Sequence, residues 1–281
     1  MTLEKTRLKL GIVPLTDCAP VVVAKERGFF AEQGLDVEIS REPSWANIRD
    51  KVAVGSLDGA QMLATMPLSM SLGLGAIREP MLAAMALNLG GNTITLSAAL
   101  CCRMEAKGGL SNTALKAVID DDKAQGRAPM AFAMVYPFST HHYELRYWMA
   151  AAGIDPDRDV RLVVVPPPQM VGHLSAGNIA GFCVGEPWGS LAANMELGRV
   201  VATSAHIFGG RIEKVLGVTR SFADANPETH KALVKALIAA GQWCDANRAE
   251  VAEIIAQPAY VNVPVEIARA SLLSPGQITF H

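Results

Sequence analysis

Residues 11–39, GIVPLTDCAPVVVAKERGFFAEQGLDVEI, decide the fold. Their pattern predicts a strand at Leu8–Val13, a helix at Ala19–Phe30 and a second strand at Leu35–Ile39. A helix between two short apolar strands favours a β–α–β crossover, in which both strands lie parallel in one sheet. The stretch therefore predicts an α/β protein.

The alternation of strand and helix continues along most of the chain. In its second half, a helix at Met170–Ala176 stands between strands at Leu162–Val165 and Gly181–Val184. We expect parallel sheets from this rhythm. The 281 residues are also enough for about two domains.

Two segments break the rhythm, and we interpret them as crossings between two lobes. They are residues 101–118, CCRMEAKGGLSNTALKAV, and residues 203–214, TSAHIFGGRIEK. The predicted lobe I is therefore residues 1–102 together with 208–281, and the predicted lobe II is residues 103–207.

Charge balance and motifs argue against several functions. Because 25 Lys and Arg face 27 Asp and Glu, we expect no direct binding of nucleic acid. The patterns GxxxxGKS/T, GxGxxG and GxSxG are absent, and the adjacent His141 and His142 do not form HExxH. Glu186 could serve as a general acid, but the sequence offers it no evident partner. We therefore predict a protein that is not an enzyme, without a cofactor and without a metal site.

The first 15 residues, MTLEKTRLKLGIVPL, lack the features of a secretory leader. Charges at Glu4, Lys5, Arg7 and Lys9 interrupt any apolar core. This predicts a cytoplasmic location, or a periplasmic one if the start is a mature or trimmed N-terminus. Apolar stretches such as Met81–Leu89 are much shorter than the roughly 20 residues of a membrane-spanning helix, so no membrane span is expected.

Residues 181–188, GFCVGEPW, predict the floor of a pocket. A short apolar strand ends at Gly185, and a carboxylate, a proline and an indole follow. Gly185 gives a ligand access to the backbone N–H, and Trp188 offers a packing surface. Glu186 would repel an anion, so we assign it to orienting the donors. The arrangement suits a small anion.

Residues 136–148, YPFSTHHYELRYW, predict a helix that begins after a strand and a loop. Ser139 or Thr140 is expected as its N-cap, with His141 in the first turn. Free N–H groups and the positive end of the helix dipole favour an anion there. From the residues alone, His141 is either a ligand or a cap-region histidine, Trp45 fits a core residue, and Lys214 fits a surface lysine.

Three stretches together resemble the nitrate/bicarbonate-binding proteins of ABC transporters and the related cytoplasmic nitrate sensors. They are residues 11–39, residues 145–188 (LRYWMAAAGIDPDRDVRLVVVPPPQMVGHLSAGNIAGFCVGEPW) and residues 214–219 (KVLGVT). The resemblance implies a two-lobed type II periplasmic-binding-protein fold with a ligand cleft between the lobes. Family members continue beyond residues 263–273, so we expect either a truncated C-terminus or an unusually economical lobe I.

The resemblance also assigns the site. It implies that Trp45 forms the aromatic wall of the anion pocket, His141 is the pocket histidine and Lys214 is the counter-charge. Near LGGNTITLS (residues 89–97) the family carries an amide side chain, for which Asn92 is our choice. With Gly185, these residues form the predicted ligand-binding set. Glu186, Trp188 and, more weakly, Gln169 are expected to shape the pocket.

The resemblance implies that the ligand is a small anion, nitrate or nitrite, and that the protein is a sensor or an ABC-transporter component of nitrate assimilation. The implied macromolecular partner is an RNA-binding antiterminator protein for a sensor, or an ABC permease for a transporter component. Bicarbonate, a sulfonate and a thiamine-precursor pyrimidine are alternative ligands, and a pyrimidine-synthesis enzyme is an alternative on the same fold. Lys214 in place of a carboxylate argues against a metal-assisted bicarbonate site, and no His/Cys cluster supports the enzyme.

Overall fold

The structure is a computed structural model that describes residues 2–273 and 278–280. Contacts divide the chain into two units, with unit 1 formed by Met1–Gly91 and Gly210–His281, and unit 2 by Asn92–Gly209. Over the described residues, unit 1 holds a six-stranded sheet and unit 2 a five-stranded sheet. No helix in these ranges is long and apolar enough to cross a membrane.

Most strands and helices are short, and the longest helix of the described residues, Pro227–Ala246, spans 20 residues. The strands are β1 (Arg7–Ile12), β2 (Asp36–Arg41), β3 (Gly59–Leu63), β4 (Met81–Gly90), β5 (Asn92–Ser97), β6 (Ala131–Met134), β7 (Arg161–Val164), β8 (Gly181–Gly185), β9 (Gly198–Thr203), β10 (Ile212–Thr219) and β11 (Ile278–Thr279). The helices are α1 (Ala19–Glu26), α2 (Phe29–Glu32), α3 (Trp45–Ala53), α4 (Met66–Leu72), α5 (Ala98–Glu105), α6 (Asn112–Ala124), α7 (Thr140–Ala150), α8 (Met170–Ser175), α9 (Trp188–Asn194), α10 (Ser204–Phe208), α11 (Arg220–Ala225), α12 (Pro227–Ala246), α13 (Arg248–Ile255) and α14 (Val265–Leu273).

Unit 1 contains the crossover predicted from residues 11–39. Its strand order is β11-β4-β10-β3-β1-β2, and β1 pairs in parallel with both β2 and β3. The single helix predicted at Ala19–Phe30 is instead divided into α1 and α2. Gly28 lies between them with a φ of 79°, a left-handed conformation that glycine adopts at little cost and that ends a helix.

Several strand pairs contradict the expectation of parallel sheets. β10 runs antiparallel to β3 and β4, and β5 runs antiparallel to β8 and β9. Both β5 and β10 begin where the chain has just passed from one unit into the other. No helical crossover within the same unit therefore constrains their direction.

In unit 2 the strand order is β7-β6-β8-β5-β9. Helices α5, α6 and α7 cover one face of this sheet. Leu100, Leu115 and Leu145 from these helices pack with Ile94 of β5 and Phe132 of β6 in one buried cluster. This packing fixes α7 on the sheet, and α7 carries the predicted ligand His141.

The first crossing differs from the boundary predicted after residue 102. β5 pairs with β8 and β9, so the chain already belongs to unit 2 from Asn92. The stretch interpreted as a crossing forms α5 and part of α6, and the rhythm breaks there because two helices follow each other. The chain changes unit instead after Gly90 and Gly91, whose φ angles of 68° and 98° suit glycine. The return at Gly209–Gly210 lies within the second predicted segment.

Candidate functional site

Lys214 of β10 is fully buried and lies among acidic neighbours in unit 1. Its Nζ donates to Glu213 Oε1 at 2.9 Å, and Asp17 Oδ2 lies 2.9 Å away. We call Lys214, Asp17 and Glu213 the Lys214 cluster. An ammonium has three donors, so at least one remains for which no described residue supplies an acceptor. Lys214 is therefore a buried cation rather than a surface lysine.

A bulge explains why Glu213 and Lys214 can contact each other although they are adjacent on one strand. Adjacent side chains on a regular strand point to opposite faces. The pairing of β10 with β4 shifts register between Ile212 and Lys214 and again between Lys214 and Val215. Such an irregularity redirects side chains locally, which allows the ion pair.

Gln61 of β3 holds Asp17 in place from the other side. Its Oε1 accepts the backbone N–H of Val13 at 2.9 Å, and its Nε2 donates to Asp17 Oδ1. Burial raises the pKa of Asp17, and the charge of Lys214 offsets this only in part. Burial alone would lower the pKa of Lys214, but Asp17 and Glu213 outweigh it and the pKa is raised. Lys214 is therefore protonated at neutral pH.

Trp45 lies beside Lys214 in unit 1. It is the first residue of α3, whose N-cap Ser44 accepts the N–H of Asn47. The ring centroid lies 5.6 Å from Lys214 Nζ, within cation–π range. Trp45 is fully buried, and its Nε1–H has no acceptor among the described residues. An unpaired buried donor costs about 1–3 kcal/mol, so this N–H is poised for an acceptor from outside the chain.

Asn92 and Gly185 are directly opposite each other in the antiparallel pair of β5 and β8. Asn92 is 1% exposed, and its Nδ2 donates to Glu144 Oε2 of α7 at 2.9 Å. Its Oδ1 is buried and has no donor within residues 2–273 and 278–280. The orientation follows from the acceptor character of a carboxylate, which binds the NH₂ side of the amide. Asn92 therefore presents an unused acceptor.

His141 lies in the first turn of α7 and is fully buried. The cap role belongs to Ser139, whose side chain accepts the N–H of His142 at 3.1 Å. His142 itself contacts the Pro137 carbonyl oxygen at 2.7 Å and stacks on Tyr143. Ser139 is thus the N-cap of α7, and His141 does not cap the helix.

The predicted pocket-shaping residues of unit 2 differ in their burial. Glu186 and Trp188 are buried, and Glu186 Oε2 accepts the N–H of Ser190 at 3.0 Å. Burial raises the pKa of Glu186 to about 7. Gln169 is exposed and lines an open groove with His173. The structure therefore does not group Gln169 with the buried candidates.

Sequence reasoning missed four buried polar residues around the candidates: Asp17, Gln61, Glu144 and Glu213. Gln61 was detectable, because it interrupts the apolar run GAQML of β3, and a buried amide needs polar partners. Among the described residues, no group of three or more His, Cys, Asp and Glu side chains is arranged to hold a metal ion.

Residues 1–257 match the NMT1-like family. The chain belongs to this family. The match spans both units and includes every candidate residue named above. It leaves the C-terminal segment unmatched, and residues 274–277, on which part of our expectation for the C-terminus fell, lie outside the described residues.

Two individual relatives show a high sequence identity to this chain. The chain is 46% identical over 284 residues to the nitrate import ATP-binding protein NrtC of Synechocystis, covering 99% of this chain and 40% of the relative. It is 42% identical over 273 residues to the bicarbonate transport ATP-binding protein CmpC of Synechococcus elongatus, covering 96% and 40%. The chain thus spans about two-fifths of the length of each of these relatives.

A solved structure of a relative has a fold similar to that of this chain. The crystal structure of the periplasmic nitrate-binding protein NrtA from Synechocystis superposes with a TM-score of 0.88 at 35% identity, covering 95% of this chain and 70% of that one. The predicted resemblance to nitrate- and bicarbonate-binding proteins is confirmed. The predicted α/β, two-lobed fold of the periplasmic-binding-protein class is confirmed as well.

Proposed function

We propose that the protein binds a small inorganic anion, nitrate or nitrite, without a metal. The observation that carries this proposal is a pair of buried donor groups in unit 1, each of which retains an N–H without an acceptor among the described residues. The indole N–H of Trp45 lacks an acceptor among the described residues, and the ammonium of Lys214 lies 5.6 Å from the same ring. A planar oxyanion supplies oxygen acceptors for both donor groups, and hydrogen bonds from charged donors are the strong ones.

In unit 2 the proposed ligand contacts are His141, the backbone of Gly185 and the side chain of Asn92. The first turn of α7 supports an anion near His141 through its free N–H groups. Glu186 and Trp188 act as supports, and Gln169 stays outside the proposal because it is exposed. We propose binding without catalysis, in keeping with relatives that are named for transport and for nitrate binding.

The physiological partner in this proposal is an ABC transport system for nitrate. The names of two relatives, nitrate import and bicarbonate transport ATP-binding proteins, support this assignment. The sensor role with an antiterminator partner, and the cytoplasmic location predicted from the N-terminal charges, remain predictions. The solved relative NrtA is a periplasmic protein.

A second candidate ligand is bicarbonate, and Asn92 favours it. Glu144 holds the NH₂ group of the amide, so that Asn92 Oδ1 is left as a buried acceptor without a donor among the described residues. Nitrate carries no hydrogen to donate, whereas bicarbonate carries one O–H group. A ligand hydroxyl would satisfy Oδ1 and remove the cost of an unpaired buried acceptor.

Calorimetric titration of the purified protein with nitrate, nitrite and bicarbonate, each with and without calcium, tests the proposal. We expect heat from nitrate without added metal. Tryptophan fluorescence in wild type and Trp45→Phe provides an independent signal. Heat from bicarbonate only in the presence of calcium, with none from nitrate, would reverse the ranking.

A further inference from the structure

We propose that Asp17 sets the charge of the Lys214 cluster, so that each anion is bound together with one proton that Asp17 carries. This inference rests on the proposed function and deepens it, because it names a specificity-determining residue outside the predicted ligand set. Asp17 acts through Lys214 and is therefore a positioning residue. The step is a protonation of one carboxylate by solvent, and no other bond changes.

The composition of the Lys214 cluster creates the need for this proton. One ammonium lies 2.9 Å from each of two carboxylates, and the three side chains are at most 2% exposed. When all three are ionised, one negative charge is in excess. A bound anion adds a second, in a place where water screens little. Uptake of one proton returns the net charge of the site to its ligand-free value.

The proton must reside on the protein. Nitrate is the base of a strong acid and does not hold a proton in water. Lys214 is already protonated, as its raised pKa indicates. Within the Lys214 cluster, the two carboxylates therefore remain as acceptors. His141 of unit 2, which we also propose to contact the anion, is the competing acceptor, and proton uptake that persists in Asp17→Asn would reveal it.

Geometry favours Asp17 over Glu213. Glu213 Oε1 receives a directed hydrogen bond from Lys214, whereas no well-aligned donor within the described residues reaches Asp17 Oδ2. Asp17 Oδ2 lies 2.9 Å from the ammonium without an aligned hydrogen bond, so it is the carboxylate oxygen of the cluster that is most open to a proton. The raised pKa of Asp17, caused by burial, acts in the same direction.

Apart from Glu213, none of the described groups that face Asp17 supplies another proton acceptor. Lys214 and Glu213 approach from β10 and Gln61 from β3. On the side of α14, the neighbour Thr16 is hydrogen-bonded to the Ser271 hydroxyl, which is neutral. Cys18, next in the chain, is a neutral thiol because burial raises its pKa. The charge of the site therefore changes through Asp17.

Two consequences follow for nitrate binding. Affinity should fall as pH rises above the pKa of Asp17 in the ligand-free protein, by at most about tenfold per pH unit. A divalent anion such as sulfate would need a second proton, for which the cluster has no equally free oxygen. The site should therefore discriminate against sulfate.

Calorimetry in two buffers of different ionisation enthalpy measures proton uptake directly. We would titrate nitrate at pH 7, 8 and 9 into wild type, Asp17→Asn and Asp58→Asn. Asp17→Asn keeps an oxygen for Lys214 and removes the charge. Asp58→Asn is the matched control, since Asp58 pairs with Lys5 in the same unit and does not contact Lys214.

We expect wild type and Asp58→Asn to take up a proton when they bind nitrate. Their affinity for nitrate should fall as the pH rises. Asp17→Asn should take up none and should change less than about twofold in affinity across this range. Nitrate binding by wild type without proton uptake would overturn the inference and leave the proposed function intact. Proton uptake that persists in Asp17→Asn would overturn it as well.

Two further outcomes are decisive. If Asp17→Asn does not fold, infrared difference spectra of wild type decide the matter, because binding should produce the band of a protonated carboxyl group. A missing band overturns the inference. If wild type binds neither nitrate nor nitrite, the proposed function fails and the inference fails with it.

Discussion

Asn92 on β5 lies directly opposite Gly185 on β8. The two residues come from distant stretches of the chain, and the antiparallel pairing of their strands makes them neighbours. The amide of Asn92 is held by Glu144 of α7, which also carries His141 three residues earlier. Residues three apart share one face of a helix. One end of the β5–β8 strand pair and one helix therefore organise all the ligand candidates of unit 2.

Lys214→Met should destabilise the fold by about 3–5 kcal/mol, because it leaves two buried carboxylates without their cation. The sign with pH follows from the raised pKa of Asp17. An acid whose folded-state pKa is raised stabilises the folded state below its unfolded value and loses that contribution as pH rises. The free energy of unfolding, measured in urea at pH 5 and at pH 8, should therefore fall further below the wild-type value at pH 8 in Lys214→Met. Lys5→Met, at a half-exposed ion pair, should cost at most about 1 kcal/mol.

Trp45→Phe keeps an aromatic ring beside Lys214 and removes the unused N–H. We expect nitrate affinity to fall by roughly two- to tenfold, the value of one hydrogen bond. In the ligand-free protein the variant removes the cost of an unpaired buried donor but also loses packing, because the Phe ring is smaller. These two effects oppose each other, so the melting temperature should stay close to that of wild type. Trp243→Phe is the control, because Trp243 packs on Arg27 elsewhere in unit 1. Equal affinities in both variants would remove Trp45 from the site.

Glu144→Gln tests how the Asn92 amide selects the ligand. The glutamine can accept as well as donate, so Asn92 becomes free to turn its NH₂ group toward a ligand. We expect the ratio of nitrate to bicarbonate affinity to rise by several fold in competition titrations. Glu105→Gln, at the exposed pair with Arg199, should leave the ratio unchanged. A ratio that falls in Glu144→Gln would contradict the role given to Asn92.

Glu186→Gln should remove a pH dependence of stability in unit 2. Burial raises the pKa of Glu186 from 4.5 to about 7. A raised carboxyl pKa means that this group favours the folded state at low pH and that the benefit is lost as pH rises toward 7. Between pH 5.5 and pH 8.5 this loss amounts to about 2 kcal/mol in the wild-type free energy of unfolding. Chemical unfolding of both proteins at pH 5.5 and pH 8.5 should show a smaller difference in the variant, whose amide can still accept the Ser190 N–H.

The sequence by itself determined the local elements and the list of candidates. Apolar spacing located β1, α1 and β2, because each element is specified by neighbouring residues. The cap, which the sequence left open between Ser139 and Thr140, and the glycine at the end of β8 were visible for the same reason. The resemblance added Trp45, His141 and Lys214, which residue patterns alone would have left as a core residue, a cap-region histidine and a surface lysine.

Only the tertiary structure decided how these residues are charged, paired and oriented. Asp17, which Gln61 of β3 holds in place, meets Lys214 because β10 returns beside β3. Nothing in the local pattern encodes that return. For the same reason the sequence placed β5 in lobe I and predicted parallel neighbours for it. In the structure β5 belongs to the sheet of unit 2 and runs antiparallel to β8 and β9. Sheet pairing and buried ion pairs depend on distances between segments far apart in the chain. Those distances are set when the cores pack, so Lys214 was recognised from sequence and its two carboxylate partners were not.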